Sequence, residues 1–135
     1  MQRTNFIQHG TTPEGLGVLM LKARATLKIS LNHLRYVVMN MDIRKQWETI
    51  LFDFGIMDQT KDMNYCKSYY AYKSPPMASD RDFLMEMQLW HDFPEKNMMC
   101  CHMKSIKDER MPDRKGRVRA DCHIMSVIGK PDKDA

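Results

Sequence analysis

The sequence predicts an α+β fold built on a curved antiparallel sheet. Three observations predict it. Apolar and polar residues alternate along one early segment, two short segments then carry apolar residues at helical spacing, and the rest reads as strands separated by turn residues. A strand, a pair of helices and a series of hairpins in this order are typical of the α+β class. Residues 1–16 show no clear pattern, so we expect an irregular lead-in before one domain from 17 to 135.

The first strand is predicted from Gly17 to Ile29, because alternation with a period of two is typical of a half-buried antiparallel strand. A helix should follow, since apolar residues then recur at helical spacing. These residues are Leu31, Leu34, Val38 and Met41. Asp42 is a candidate N-cap for a second short helix, and Trp47 on that helix is expected to be a packing anchor beneath the sheet.

Five further strands are predicted, each bounded by turn signals such as Pro75-Pro76. They are residues 53–60, 65–73, 82–90, 97–106 and 116–127. Successive hairpins with short connections predict an antiparallel meander.

Composition indicates a globular chain. Hydrophobic residues make up 43% of the 135 positions, which is enough for a core. No apolar run approaches the roughly 20 residues that a membrane span needs. The N-terminal segment lacks the apolar region of a secretory signal, so the four cysteines are expected to be reduced thiols in a cytoplasmic protein. Fourteen methionines suit either an adaptable cavity or a plain compositional bias.

The basic charge is concentrated in one segment. Residues 104–119 hold seven basic and three acidic residues, so this segment carries the whole net charge of +4. It is either a surface for transient membrane contact or an ordinary solvated loop. Nucleic acid is not expected as a partner, because no aromatic residues are interleaved for base stacking.

Five motifs, by their order and spacing, make the segment from Gly17 to Lys133 resemble the START (StAR-related lipid transfer) domain family. They are Arg44-Lys45-Gln46-Trp47-Glu48, Tyr69–Pro76, Arg81-Asp82-Phe83, Met111-Pro112 and Gly116–Ala120. The resemblance implies a helix-grip fold, in which a curved antiparallel sheet wraps a long C-terminal helix around a tunnel for one lipid. It also implies binding and shuttling of a phospholipid or sterol rather than catalysis. The sequence ends where the family would still need two strands and that helix, so a partial domain without the C-terminal lid helix is expected.

Alternation on the strands around the Pro turn selects the candidate lipid-binding residues. Met85 and Met87 share a uniformly apolar face, and Tyr70 and Tyr72 point the same way. The tyrosine rings could attract a quaternary ammonium group or simply pack in a core. Arg119 could bind a lipid phosphate, or pair with a carboxylate such as Asp121 or Glu86.

Two further sets of residues carry charge or metal-binding chemistry. Arg81 and Asp82 are expected to form a structural pair at a strand entrance. Cys100, His102 and either Cys122 or His123 could approach a zinc-like arrangement, but the spacing is wrong for known zinc motifs, so no metal and no cofactor are expected.

No catalytic motif is visible, so the chain is expected not to be an enzyme. Two alternatives stay open. One is a truncated interaction module that docks a partner helix on its sheet. The other is an enzyme of the helix-grip group that uses Arg119, His102 and Asp121.

Overall fold

The computed structural model describes residues 3–11 and 19–132, and the chain divides into two compact units. The smaller unit contains residues 1–30 and 132–135, and the larger unit is Leu31–Pro131. No helix among the described residues has the length and apolarity needed to cross a membrane.

The smaller unit contains a two-stranded antiparallel sheet of β1 (Arg3–Thr11) and β2 (Leu19–Thr26). The expectation of an irregular lead-in is therefore wrong over residues 3–11, while residues 1–2 and 12–16 lie outside the described part. The sequence of β1 mixes polar and apolar residues without alternation, so its strand conformation depends on its pairing with β2 and leaves little local signal.

The strand predicted from 17 to 29 is confirmed over Leu19–Thr26, but its predicted half-burial is wrong. Every side chain from Met20 to Ile29 is exposed, and Leu21 is 64% exposed. A two-stranded sheet offers no second layer of its own to cover the apolar face.

The larger unit holds two helices followed by six strands. These elements are α1 (Leu31–Met39), α2 (Met41–Trp47), β3 (Leu51–Gln59), β4 (Tyr65–Tyr72), β5 (Asp80–His91), β6 (Met99–Ser105), β7 (Arg117–Arg119) and β8 (Met125–Gly129). The α+β class is confirmed. The helix pair follows the second strand, whereas the sequence predicted it after the first, because β1 was not predicted. Residues 48–132 form strands, turns and loops.

The sheet of the larger unit runs in the order β3-β4-β5-β6-β8, and all neighbours on this path are antiparallel. The strand predicted over 116–127 is split into β7 and β8. β7 pairs in parallel with β5, from Asp80 opposite Arg117 to Asp82 opposite Arg119. This pairing corrects the purely antiparallel expectation. β6 pairs with only the Met85–His91 part of β5, so the first residues of β5 have a free edge on which β7 docks.

The boundary between the helices is set by Asn40 rather than by the predicted Asp42. The Asn40 side-chain oxygen accepts a hydrogen bond of 3.1 Å from the backbone N–H of Ile43, as an N-cap does. Asp42 is the second residue of α2, where its negative charge still interacts favourably with the positive N-terminal end of the helix dipole.

The sheet buries apolar side chains on both faces. We call the face that packs against α1 and α2 the helix side, and the other the outer side. The helix side carries the larger core, to which both helices contribute through residues such as Met39 and Met41. The outer side carries a smaller core of Tyr69, Ala71 and Leu84.

The prediction that Trp47 is a packing anchor is wrong. Trp47 is the last residue of α2, and it is 54% exposed. The buried positions of this helix are Met41 and Arg44, one turn apart. The inward face of α2 therefore ends in a charged residue rather than in the indole.

Candidate functional site

The helix side of the sheet is a continuous methionine-rich surface. Met85 and Met87 are both on it, as the alternation of β5 predicts, and they are 6% and 1% exposed. Met99 and Met103 of β6 extend the same surface. In this conformation the methionines pack against the helices as a filled core. Their unbranched thioether chains can rearrange around a differently shaped apolar group.

Tyr70 and Tyr72 also lie on the helix side, with ring centroids 6.5 Å apart and planes inclined by 15°. The Tyr70 hydroxyl accepts a hydrogen bond of 2.7 Å from Ser68 Oγ. The guanidinium carbon of Arg44 lies 4.9 Å from the centroid of the Tyr70 ring. The ring face that was a candidate for a ligand ammonium group therefore already has a cation from the chain itself.

Arg44 brings a charge to this apolar surface, since the residue is only 9% exposed. Its Nε donates to Glu48 Oε2 at 2.9 Å, and its Nη2 donates at 3.2 Å to both Glu48 Oε1 and the Tyr72 hydroxyl. The Tyr72 hydroxyl in turn donates to Glu48 Oε1 at 3.2 Å. We call these three residues the Arg44 cluster.

Arg44 keeps its charge over the whole physiological pH range. Burial acts to lower the pKa of Arg44, but its hydrogen bond to Glu48 and the nearby charges outweigh burial, so the pKa is raised. Burial also raises the pKa of Tyr72, so this hydroxyl stays protonated and can donate. A charged group held next to an apolar surface is a common arrangement for orienting a ligand.

Sequence reasoning missed Arg44 and Glu48 as site residues, although both were part of a recognised motif. Two signals were present. Arg44 falls three residues after the apolar Met41, on the same helical face, and Glu48 follows at the spacing of four that favours ion pairs.

Arg119 lies on the outer side, away from the other four candidate lipid-binding residues. Its Nε donates to Asp82 Oδ1 at 2.9 Å, and its Nη2 donates to Asp82 Oδ2 at 3.3 Å. It also donates to the carbonyl oxygens of Met111 and Pro112. Its main carboxylate partner is thus Asp82, with Asp113 Oδ1 a further 3.9 Å from Nη1, rather than Asp121 or Glu86.

The predicted structural pair of Arg81 and Asp82 is wrong, because adjacent residues on a strand point to opposite faces. Arg81 is exposed and donates to the carbonyl oxygen of Ser79. Asp82 is fully buried and also accepts a hydrogen bond of 2.8 Å from the Tyr69 hydroxyl. Burial acts to raise the pKa of Asp82, but the hydrogen bonds from Arg119 and Tyr69 outweigh it, and the pKa is lowered.

Most of the positive charge of residues 104–119 is neutralised within the larger unit. Five of its seven basic residues form ion pairs. These are Lys104, Arg110, Arg114, Arg117 and Arg119. Arg114 and Arg117 share the carboxylate of Asp53. Lys107 and Lys115 form no ion pair with a described residue.

The cysteine and histidine residues that were weighed as a zinc or catalytic set are dispersed. Cys101 is buried in the helix-side core. His102 follows it on the strand, and its Nδ1 lies 3.3 Å from Ser126 Oγ. Among residues 3–11 and 19–132, no three histidine, cysteine or acidic side chains are grouped so that they could hold a metal ion.

The sequence matches no protein-family profile and no curated protein. The structure, in contrast, resembles solved lipid-transfer domains. It superposes on human STARD10 with a TM-score of 0.76 at 16% identity, covering 94% of this chain and 53% of that one. It superposes on the human StarD13 (DLC2) lipid transfer and protein localization domain with a TM-score of 0.80 at 18% identity, covering 98% and 68%.

A STAR-related lipid transfer protein from Xanthomonas axonopodis gives a TM-score of 0.74 at 17% identity, covering 95% of this chain and 75% of that one. This chain thus spans about half the length of STARD10 and between two thirds and three quarters of the other two. Similarity at this level of identity establishes the architecture. The chain therefore has the helix-grip fold of START domains.

Proposed function

We propose that this protein binds one hydrophobic lipid in a cavity on the helix side of its sheet and that it acts in lipid transfer or sensing. Two facts support this. The solved structures that share its fold are named as lipid-transfer proteins or domains. The helix side also combines a methionine-rich apolar surface with the Arg44 cluster. The nearly buried Arg44 carries the proposal, because ligand sites are mostly apolar with a few placed polar or charged groups that orient the ligand.

The lipid chain would take the place of the contacts between the helices and the sheet. Arg44 lies on α2 and Glu48 is the C-cap residue of the same helix, one turn later, so α2 can move away from the sheet without separating this ion pair. The apolar surface left on the sheet would include Met85, Met87 and the rings of Tyr70 and Tyr72. A ligand that buries this surface would offset the loss of the helix contacts.

The Arg44 cluster favours a phospholipid over a sterol. A guanidinium group can bind two oxygens of a phosphate with paired hydrogen bonds. The Glu48 carboxylate lies beside it and could receive a cationic part of the same headgroup. A sterol presents one hydroxyl, which would leave most of this polar capacity unused.

Native mass spectrometry of the chain purified without detergent tests this proposal. The chain would be incubated with phosphatidylcholine vesicles or with phosphatidylcholine–cholesterol vesicles, and adducts would be identified by mass. We expect one phosphatidylcholine per chain. Arg44→Met should lose this adduct, because it removes the charge and keeps much of the volume. Arg117→Met is the matched control, since Arg117 is a half-buried, ion-paired arginine of the outer side. A wild-type chain that stays empty with both vesicles refutes lipid binding.

We propose that residues 104–119 make the transient membrane contact that lipid exchange requires. Only Lys107 and Lys115 in this segment are free of ion pairs with described residues, so the electrostatic attraction should be weak. We expect Lys107→Gln/Lys115→Gln to lower vesicle co-sedimentation by a factor of a few on membranes containing phosphatidylserine, in line with about 1 kcal/mol per basic residue. Equal sedimentation of both proteins would place the contact elsewhere.

We propose a binding role without catalysis, in the cytoplasm. The four cysteines form no disulfide among the described residues, and three of them are buried. This state suits a reducing compartment.

A further inference from the structure

A pocket of about 390 Å³ opens beside the first turn of α1, within the larger unit. It lies between this turn, the loop from β5 to β6 and the residue Pro131. Its wall is apolar on the side of Leu31, Met98 and Met99. Its polar lining comes from Asn32, Arg35, His91, Asp92 and Asn97. It shares Met99 with the methionine-rich surface of the helix side, but no residue of the Arg44 cluster lines it.

Among the described residues that line this pocket, Arg35 is the only arginine or lysine. Its hydrogen bonds are both made by Nη2, to the carbonyl oxygen of Asp62 at 2.6 Å and to Asn64 Oδ1 at 3.2 Å. Its Nε is buried and has no hydrogen-bond partner. A buried donor without a partner is rare in folded proteins, and a bound ion or an ordered water is one explanation for it.

The rest of the polar lining is suited to an anion. Leu31 and Asn32 are the first residues of α1, where backbone N–H groups have no partner inside the helix. His91 and Asn97 add side-chain donors. Asp92 is the one acidic group in the lining. It is exposed, and its Oδ1 already accepts a hydrogen bond of 2.8 Å from the backbone N–H of Asn97. Its carboxylate therefore stabilises the loop from β5 to β6.

We propose that this pocket binds a phosphate group and that Arg35 is the residue that holds it. The phosphate would contact the guanidinium group and the first turn of α1, and an apolar substituent would lie against Met98 and Met99. The phosphate could be free or could belong to a lipid headgroup. The phosphate contacts proposed here do not require lipid at the sheet, since no residue of the Arg44 cluster lines the pocket.

Isothermal titration calorimetry on the 135-residue chain tests the proposal, with inorganic phosphate and dioctanoyl phosphatidic acid as separate probes. Binding of both would show that phosphate suffices, and binding of the lipid alone would identify a headgroup site. In either case Arg35→Gln should weaken binding by about tenfold or more, because a charged hydrogen bond is lost. Arg81→Gln is the control, since Arg81 is exposed and does not line the pocket.

Because Arg35 also holds the 60–64 loop, a second variant keeps the test decisive if Arg35→Gln is unstable. Met98→Trp fills the pocket, leaves Arg35 in place and should abolish binding of both probes. The proposal is overturned if the wild-type chain binds neither probe. It is equally overturned if Met98→Trp binds as the wild type does, or if Arg35→Gln and Arg81→Gln weaken binding to the same extent.

Discussion

Removal of Arg119 should cost far more stability than its position near the surface suggests. Its partner Asp82 is fully buried, with a side chain that is 1% exposed against 21% for Arg119. In Arg119→Met the carboxylate loses two charge-assisted hydrogen bonds, each worth about 1.5–3 kcal/mol. Breaking a buried pair in this way costs about 3–5 kcal/mol. The partial exposure of Arg119 places the expected loss near the lower end, at about 3 kcal/mol.

Urea unfolding followed by circular dichroism would measure this loss at pH 7 and again in acid. The folded-state pKa of Asp82 is lowered, so in the wild type its contribution is present above the pKa of the unfolded chain and is lost as the pH falls through the folded value. In Arg119→Met burial is no longer outweighed, so the carboxyl group protonates more readily. The gap between wild type and variant should therefore narrow as the pH falls below about 4.

Two comparisons isolate the cause. Asp82→Asn/Arg119→Met removes both charges and should be less destabilised than Arg119→Met alone, because no unpaired charge is left buried. Arg110→Met breaks a pair of exposed contacts to Asp58 and Asp108, and it should cost no more than about 1 kcal/mol. If Arg119→Met costs as little as Arg110→Met, or if its penalty does not change with pH, the reasoning about the buried carboxylate is refuted.

Three further experiments test the packing, two with substitutions and one by labelling a thiol of the unchanged chain. Gly129→Ala should lower stability by about 1 kcal/mol, because its new methyl group would lie 3.0 Å from a methyl carbon of both Leu31 and Leu34; an unchanged melting temperature would show that α1 shifts freely. Ala71→Leu should cost about 1–3 kcal/mol, since Ala71 is fully buried, and a smaller loss in the same thermal scan would indicate a loose outer-side core. Burial raises the pKa of Cys101 to about 12, so this thiol should resist a thiol-reactive disulfide reagent at pH 8 until urea unfolds the chain; rapid labelling without urea contradicts its burial.

The strands of the larger unit could be predicted for two reasons. Their side chains alternate, or proline residues and charged turns mark their ends. The elements that were missed depend on partners distant in the sequence. The strand β1 has no alternation of its own, and β7 is only three residues long and exists because β5 extends beyond β6.

The candidate site was predicted in part. Alternation placed Tyr70, Tyr72, Met85 and Met87 on one face, because a period of two is a property of the strand alone. Arg119 stayed between a lipid phosphate and a carboxylate partner, because a sequence cannot show which carboxylate, among several, lies across the sheet. Arg44 was overlooked because a charged residue on a short helix normally lies in solvent, and only the packing of α2 shows that it does not.

The parallel strand β7 has a consequence for how the chain avoids association with itself. Without β7, the residues from Asp80 to Asp82 would present unpaired backbone groups just after a Pro-rich turn. Such an edge is a template on which the strand of another molecule can add. β7 reaches it only after the chain has passed through β6 and the 106–116 loop, so during folding this edge is protected late. Lengthening that loop should therefore delay β7 and promote aggregation from the folding intermediate before it changes the finished fold.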